Sequence, residues 1–263
     1  MRLFALLSMA CLLLAIAAPA AAQTPPGAKT TAPPQTLGVA AAASLSDVMP
    51  EVARGFEAAH PGSAVRVNAA ASGVLLEQIA AGAQLDVYTS ADADTMLRGN
   101  ERRLLRPDTR RDFASNEMVL IVPAASTRLP LEQLGDLARP EVRRIAIGKT
   151  ATVPAGRYAR EIIDSVRLWP ALQRKIVAAD DVRQVLDLVA RGEVDAGFVY
   201  RTDAATVPDR VRVVRVFSDH TPVRYLAAVV AGSRNETLAR AFVLWLDGAE
   251  ARAVLQRHGF GPP

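Results

Sequence analysis

The sequence predicts an α/β fold, and three observations carry that prediction. Short apolar runs rich in Val, Ile, Leu and Ala alternate with amphipathic segments of roughly 10 to 16 residues, as strands alternate with crossover helices. Composition is that of a folded globular chain, with 50% hydrophobic and 22% charged residues, which excludes a disordered or fibrous protein. The 263 residues exceed what one compact core usually holds and leave room for two lobes. No fixed short repeat is present, so a solenoid is not expected.

The elements follow in chain order. Arg2 gives a positive start, Leu3 to Ala17 is apolar, and Ala20-Ala21-Ala22 before Gln23 forms a small-residue cleavage site, together the pattern of an export signal over residues 1–22. Its apolar core is short for a membrane span, and no later apolar stretch reaches about 18 residues. Cys11, the only cysteine, falls inside the signal. The mature chain is therefore expected to carry no disulfide and no Cys-ligated metal. Residues 23–36 hold Pro25, Pro26, Pro33 and Pro34 among Thr, Gly and Ala, a composition that predicts an extended tether, with the folded body starting near Leu37. Strands are expected over 37–41, 64–68, 86–89, 118–122, 144–147, 175–178, 196–200, 211–217 and 223–230. Helices are expected after Ser44, Ser72, Ala91, Leu129, Ala155, Asp181, Asn235 and Glu250.

Four turns share a pattern in which a strand ends and a helix begins at a small, hydroxyl or carboxyl residue: Ala43-Ser44, Ala71-Ser72, Pro154-Ala155 and Asp181-Val182. A helix start leaves backbone N–H groups without intrahelical partners and carries partial positive charge, so each is a natural seat for an anion. The alternative is ordinary helix punctuation, with Ser44, Ser72 and Asp181 as N-caps and Pro154 as a first-turn proline.

Other chemistries find less support. The net charge of +4 is spread without a basic run, so no nucleic-acid partner is expected. A serine hydrolase built on Ser44 or Ser72 would need a G-x-S-x-G elbow or a paired base. The elbow is absent, and His60, His220 and His258 fall at a helix end, in a polar loop and near the C-terminus. Their spacing does not suit a metal site either. Asp86, Asp92 and Asp94 lack the glycine and closing glutamate of a calcium loop, and read as caps or solvated groups. No catalytic residue and no cofactor are expected.

The segments AAAASLSDVM (40–49), ASGVLLEQIAAGAQLDVYTSAD (71–92), VPAGRYARE (153–161), DDVRQVLDLVARGEVDAGFVY (180–200) and the terminal HGF (258–260) resemble, in order and spacing, the periplasmic molybdate-binding proteins of bacterial ABC transporters. The similarity runs from about Leu37 to Phe260. It implies a two-lobed periplasmic binding protein fold of type II with the ligand cleft between the lobes. One lobe would comprise residues 37–117 and 223–263 and the other 118–222. It further implies a protein exported to the periplasm, monomeric, that captures molybdate or tungstate and hands it to a membrane permease. The anion would be held through its oxygens, with no direct metal ligand, by Ser44, Ser72, Ala155, Val182 and Tyr200. Sulfate or phosphate remains the alternative anion. Two departures from the family pattern bear on cavity shape: Ala70-Ala71-Ser72 replaces a Gly-Ser-Ser sequence, and GKTAT (148–152) replaces an Asp-Pro form.

The implied donor set suits a proton-free dianion. Three hydroxyls and four backbone N–H groups, those of Ser44, Ser72, Ala155 and Val182, offer hydrogens, and at about 1.5 to 3 kcal/mol each they can offset desolvation without a Lys or Arg. Hydrogen phosphate fits worse because its proton needs an acceptor. Asp181 is the nearest candidate for one, and it is expected to face its own helix as a cap.

Overall fold

The computed structural model describes residues 34–126 and 131–263. The expected signal at 1–22, Cys11 and all but the last residues of the tether lie outside them. Two five-stranded sheets organise the chain. The first contains β1 (Gln35–Ala42), β2 (Ser63–Ala70), β3 (Val87–Ser90), β4 (Arg111–Asn116) and β10 (Val223–Val229), ordered β2-β1-β3-β10-β4. The second contains β5 (Met118–Pro123), β6 (Ile145–Gly148), β7 (Ile176–Ala179), β8 (Ala196–Tyr200) and β9 (Val211–Phe217), ordered β7-β6-β8-β5-β9. Each sheet has the same plan, three parallel strands followed by two joined antiparallel. The chain passes between the sheets at Glu117 and again through residues 218–222.

Helices α1 (Met49–Ala59), α2 (Ser72–Ala80) and α3 (Ala93–Glu101) belong to the first lobe, α4 (Pro154–Ser165), α5 (Trp169–Leu172), α6 (Val182–Ala190) and α7 (Arg201–Ala205) to the second, and α8 (Glu236–Leu246) and α9 (Ala249–Arg257) return to the first. The helical faces follow from sequence. In α6 the buried residues Val182, Val185, Leu186 and Val189 recur at the spacing of one helical stripe, each contributing about 1.5 to 3 kcal/mol on burial. Strand β8 is buried throughout, as a central strand covered on both faces must be. Close packing of α4 on β6 depends on Gly156, where a Cβ would stand 2.0 Å from the Gly148 carbonyl oxygen. Among the described residues no helix is long and apolar enough to cross a membrane.

The expected strands are all present with ends shifted by at most two residues, and β8 and β9 match residue for residue. Helices α5 and α7 were not expected, and four further differences follow. Strand β1 begins at Gln35, inside the expected tether, because Gln35 and Thr36 pair in register with Ser63 and Ala64. Strand β4, RDFASN, has no apolar run, since only Phe113 and Ala114 are buried. The helix expected directly after Ser44 is instead a single 3-10 turn over Ala43–Leu45, with α1 starting at Met49. Leu129 lies outside the described residues, and the helix expected after it is a 3-10 turn at Leu134–Ala138.

Candidate functional site

The C-terminal ends of β1, β2, β6, β7 and β8 converge on the cleft between the lobes, the place where open α/β sheets bind ligands. A small cavity lies there. Its lining includes Ser44, Ser72, Ala155, Val182 and Tyr200, so all five sequence-predicted positions meet at one point; Ala42, Ala43, Ala71, Ala91, Val153 and Pro154 complete the wall. The wall contains no Lys, Arg, Asp or Glu.

Each polar group reaches the cavity by a local route. Ser72 and Val182 are the first residues of α2 and α6, and Ala155 is the second of α4. Their N–H groups therefore have no acceptor within their own helices. Ser44 occupies the 3-10 turn after β1, where its N–H is likewise unspent within the turn. Of the three residues that also read as N-caps, only Asp181 acts as one, accepting the Gln184 N–H at 2.9 Å. Ser44 and Ser72 do not cap helices. The Ser72 hydroxyl oxygen accepts the Ala91 N–H at 3.2 Å, and the Ser44 hydroxyl lies 2.8 Å from the Tyr225 hydroxyl.

Tyr200 closes the set. Its ring is buried and its hydroxyl has no hydrogen-bond partner, a costly state for a polar group in a protein interior. Burial, with the neighbouring Tyr225 and Tyr158, pushes its pKa well above the usual phenol value, so the hydroxyl stays protonated and able to donate. The cavity thus presents hydrogen-bond donors against small apolar walls.

The two lobes are joined around this cavity by contacts the sequence reading did not name. Arg157, in the first turn of α4, donates through Nε to Asp92 Oδ2 at 2.9 Å and through Nη2 to Thr95 Oγ1 at 2.6 Å, and its Nη2 also meets Asp92. Arg183, beside Val182, pairs with Asp47 at 2.6 Å and donates to the Ser44 carbonyl at 3.3 Å. Within its own lobe Arg183 Nε stands 2.8 Å from Asp203 Oδ1, an ion pair lying off the line a hydrogen bond needs. Burial pushes the Asp203 carboxyl up to about 6, against the pull of Arg183, while its other oxygen accepts the Tyr200 N–H at 3.1 Å. Gly73 N–H donates to the Thr152 carbonyl at 2.9 Å across the cleft. Arg157 and Arg183 fall inside the motif segments, one or two residues past a site position, and that adjacency was the available signal. Gly73, one residue past Ser72, carried the same signal, and Tyr225 gave none.

The remaining candidates are engaged elsewhere. His60 stacks on Phe56 with ring centroids 4.0 Å apart, His220 Nδ1 lies 2.7 Å from the Thr221 carbonyl, and His258 bonds Glu51. Asp92 caps α3 through the Thr95 N–H. Asp86 is bonded to the Gly38 N–H and the Ser233 hydroxyl, within a separate, larger groove lined by Arg66 and Arg234. Among the described residues no group of three or more His, Cys, Asp or Glu is placed to hold a metal ion.

Two α/β lobes enclosing a small donor-lined cavity define a binding protein that traps a solute between its lobes. The chain belongs to the bacterial extracellular solute-binding protein family, whose sequence pattern it matches over residues 37–261. It is 34% identical to the molybdate-binding protein ModA of Haemophilus influenzae, covering 84% of this chain and 88% of that one. Among solved structures it is similar to the periplasmic molybdate-binding protein of Azotobacter vinelandii, with a TM-score of 0.75 and 24% identity over 86% of this chain and 99% of that one. The sulfate-binding protein SubI from Mycobacterium tuberculosis matches with the same TM-score, 0.75, at 18% identity over 87% of each chain.

Proposed function

We propose that this protein captures molybdate, and tungstate with it, in the periplasm and delivers the anion to the permease of an ABC transporter, without catalysis and without a cofactor. The observation that carries the reading is the buried, unpartnered Tyr200 hydroxyl in a cavity whose largely apolar wall also holds Ser44, Ser72 and the helix-start residues Ala155 and Val182. An unpaired buried donor is stabilised by an acceptor arriving from outside, and a tetrahedral dianion brings four acceptor oxygens and no proton. The name of the 34% identical relative supports molybdate in particular. Sulfate is the second reading, because it is also proton-free and the sulfate-binding neighbour shares the fold equally well.

In this reading Ser44 and Ser72 come from the first lobe and Ala155, Val182 and Tyr200 from the second, so the full donor set assembles only when the lobes meet, and binding favours that form. One chain supplies every position, which supports action as a monomer. A thermal-shift panel of oxyanions tests the assignment. Molybdate and tungstate at 100 times Kd should add about 2.7 kcal/mol, or roughly 5 to 10 °C in Tm for a chain of this size, with phosphate giving no shift. No shift with millimolar molybdate refutes the reading, and a larger shift with sulfate transfers it to the second anion.

A further inference from the structure

A serine hydroxyl can donate or accept, and nothing in the Ser44 side chain itself decides which it does toward the cavity. The decision is made behind it. Asn116, the last residue of β4, accepts the Glu117 N–H on Oδ1 at 2.9 Å, which fixes the amide so that its NH2 group points the other way. That group donates to Thr202 Oγ1 at 2.8 Å and to Tyr225 Oη at 3.2 Å. Both amide hydrogens are then spent.

Tyr225 is fully buried, and burial holds its phenol far above the usual range, so it carries one hydrogen. Its oxygen receives Asn116. The other bonded neighbour is Ser44 Oγ, at 2.8 Å. If Ser44 donated to Tyr225, the phenolic hydrogen would be left unpaired in the interior, the costlier arrangement. Tyr225 therefore donates to Ser44, and the Ser44 hydrogen is turned out toward the cavity. The ring has no freedom to do otherwise, because Phe260, Tyr200 and Phe113 surround it at centroid distances of 5.3, 6.0 and 6.2 Å. The ladder between β10 and β4 also shifts register between Tyr225 and Leu226, the kind of irregularity that re-aims a side chain beside a binding site. At Ser72 the backbone performs the same task, with the Ala91 N–H occupying its oxygen from behind.

We propose that Tyr225, oriented by Asn116, is a positioning and specificity-determining residue that holds Ser44 as a donor toward the bound anion, so that the site takes oxyanions bearing no proton at that point. This rests on the anion-binding reading given above. The test is a double-mutant cycle on molybdate affinity, measured by calorimetry on the mature chain with Tyr225→Phe, Ser44→Ala and the pair. If Tyr225 acts through Ser44, Tyr225→Phe should weaken molybdate binding about tenfold in the native background and less than about twofold once Ser44 is Ala. Equal losses in both backgrounds would assign Tyr225 a general packing role and overturn the proposal, as would no loss in either. Asn116→Ala, at a half-buried position, should show the same dependence on Ser44 and serves if Tyr225→Phe fails to fold. Absence of molybdate binding in the unmutated chain would instead overturn the proposed function, whatever the variants do.

Discussion

Replacing Gly73 by Ala separates folding from closure. Gly73 is the second residue of α2, and its N–H meets the Thr152 carbonyl of the opposite lobe. A Cβ at position 73 would stand 2.7 Å from the Thr152 carbonyl oxygen, 2.8 Å from its Cα and 3.1 Å from its carbonyl carbon, where ordinary contact begins at 3.4 Å. All three atoms are backbone, so no side chain can swing aside, and the lobes must part by about 0.7 Å at this point, enough to stretch a hydrogen bond of about 2.8 Å to the edge of its useful range. Donors from the second lobe then lose their hold on an anion seated against Ser72. Losing the equivalent of one charge-assisted hydrogen bond costs about 1.5 to 3 kcal/mol, which is about 10- to 150-fold in Kd. The effect on the unliganded fold has the opposite sign, because Ala is favoured over Gly in a helix by up to about 1 kcal/mol. Calorimetry with molybdate should therefore show weaker binding while the unliganded Tm stays level or rises. Native affinity in Gly73→Ala would refute the argument that this contact limits closure. A large fall in unliganded Tm would show that the glycine serves the fold itself.

Ser72→Ala should weaken molybdate by roughly ten- to a hundredfold through loss of one hydroxyl donor, and unchanged affinity by calorimetry would leave Ser72 as a spacer. Tyr200→Phe should speed release in stopped-flow measurements while leaving unliganded stability within about 1 kcal/mol, since the hydroxyl it removes has no protein partner. Arg157→Met removes the interlobe pair with Asp92 and should also raise the release rate, with an equal rate showing that the pair does not contribute to holding the lobes together. Asp203 gives a pH signature. Its folded value of about 6 exceeds the ordinary 3.8, so its contribution to stability is fully present below about pH 4 and is lost as pH rises through 6, an effect of up to about 3 kcal/mol. Asp203→Asn should flatten that part of the stability profile, as read by denaturant unfolding across pH 4 to 7.

Local chemistry is what the sequence alone determined. The α/β alternation, the strands over 196–200 and 211–217, and the four helix starts are legible because burial and helix punctuation write themselves into adjacent residues, as the Val182, Val185, Leu186 and Val189 stripe does in α6. Ser44, Ser72, Ala155 and Val182 lie at those helix starts, whereas the set of five with Tyr200 was legible only through the motif segments that resemble the molybdate-binding family. Strand β4 escaped because it buries only Phe113 and Ala114 and owes its place to pairing with β10. What only the tertiary structure decided is how those five positions are served. Tyr225 meets Ser44 across 181 positions of sequence, Asn116 meets Tyr225 across 109, and Arg157 meets Asp92 across 65. No periodicity encodes such pairs, because hydrogen-bond direction and lobe contact depend on where distant strands arrive in space, and that is fixed by the packing of the whole chain.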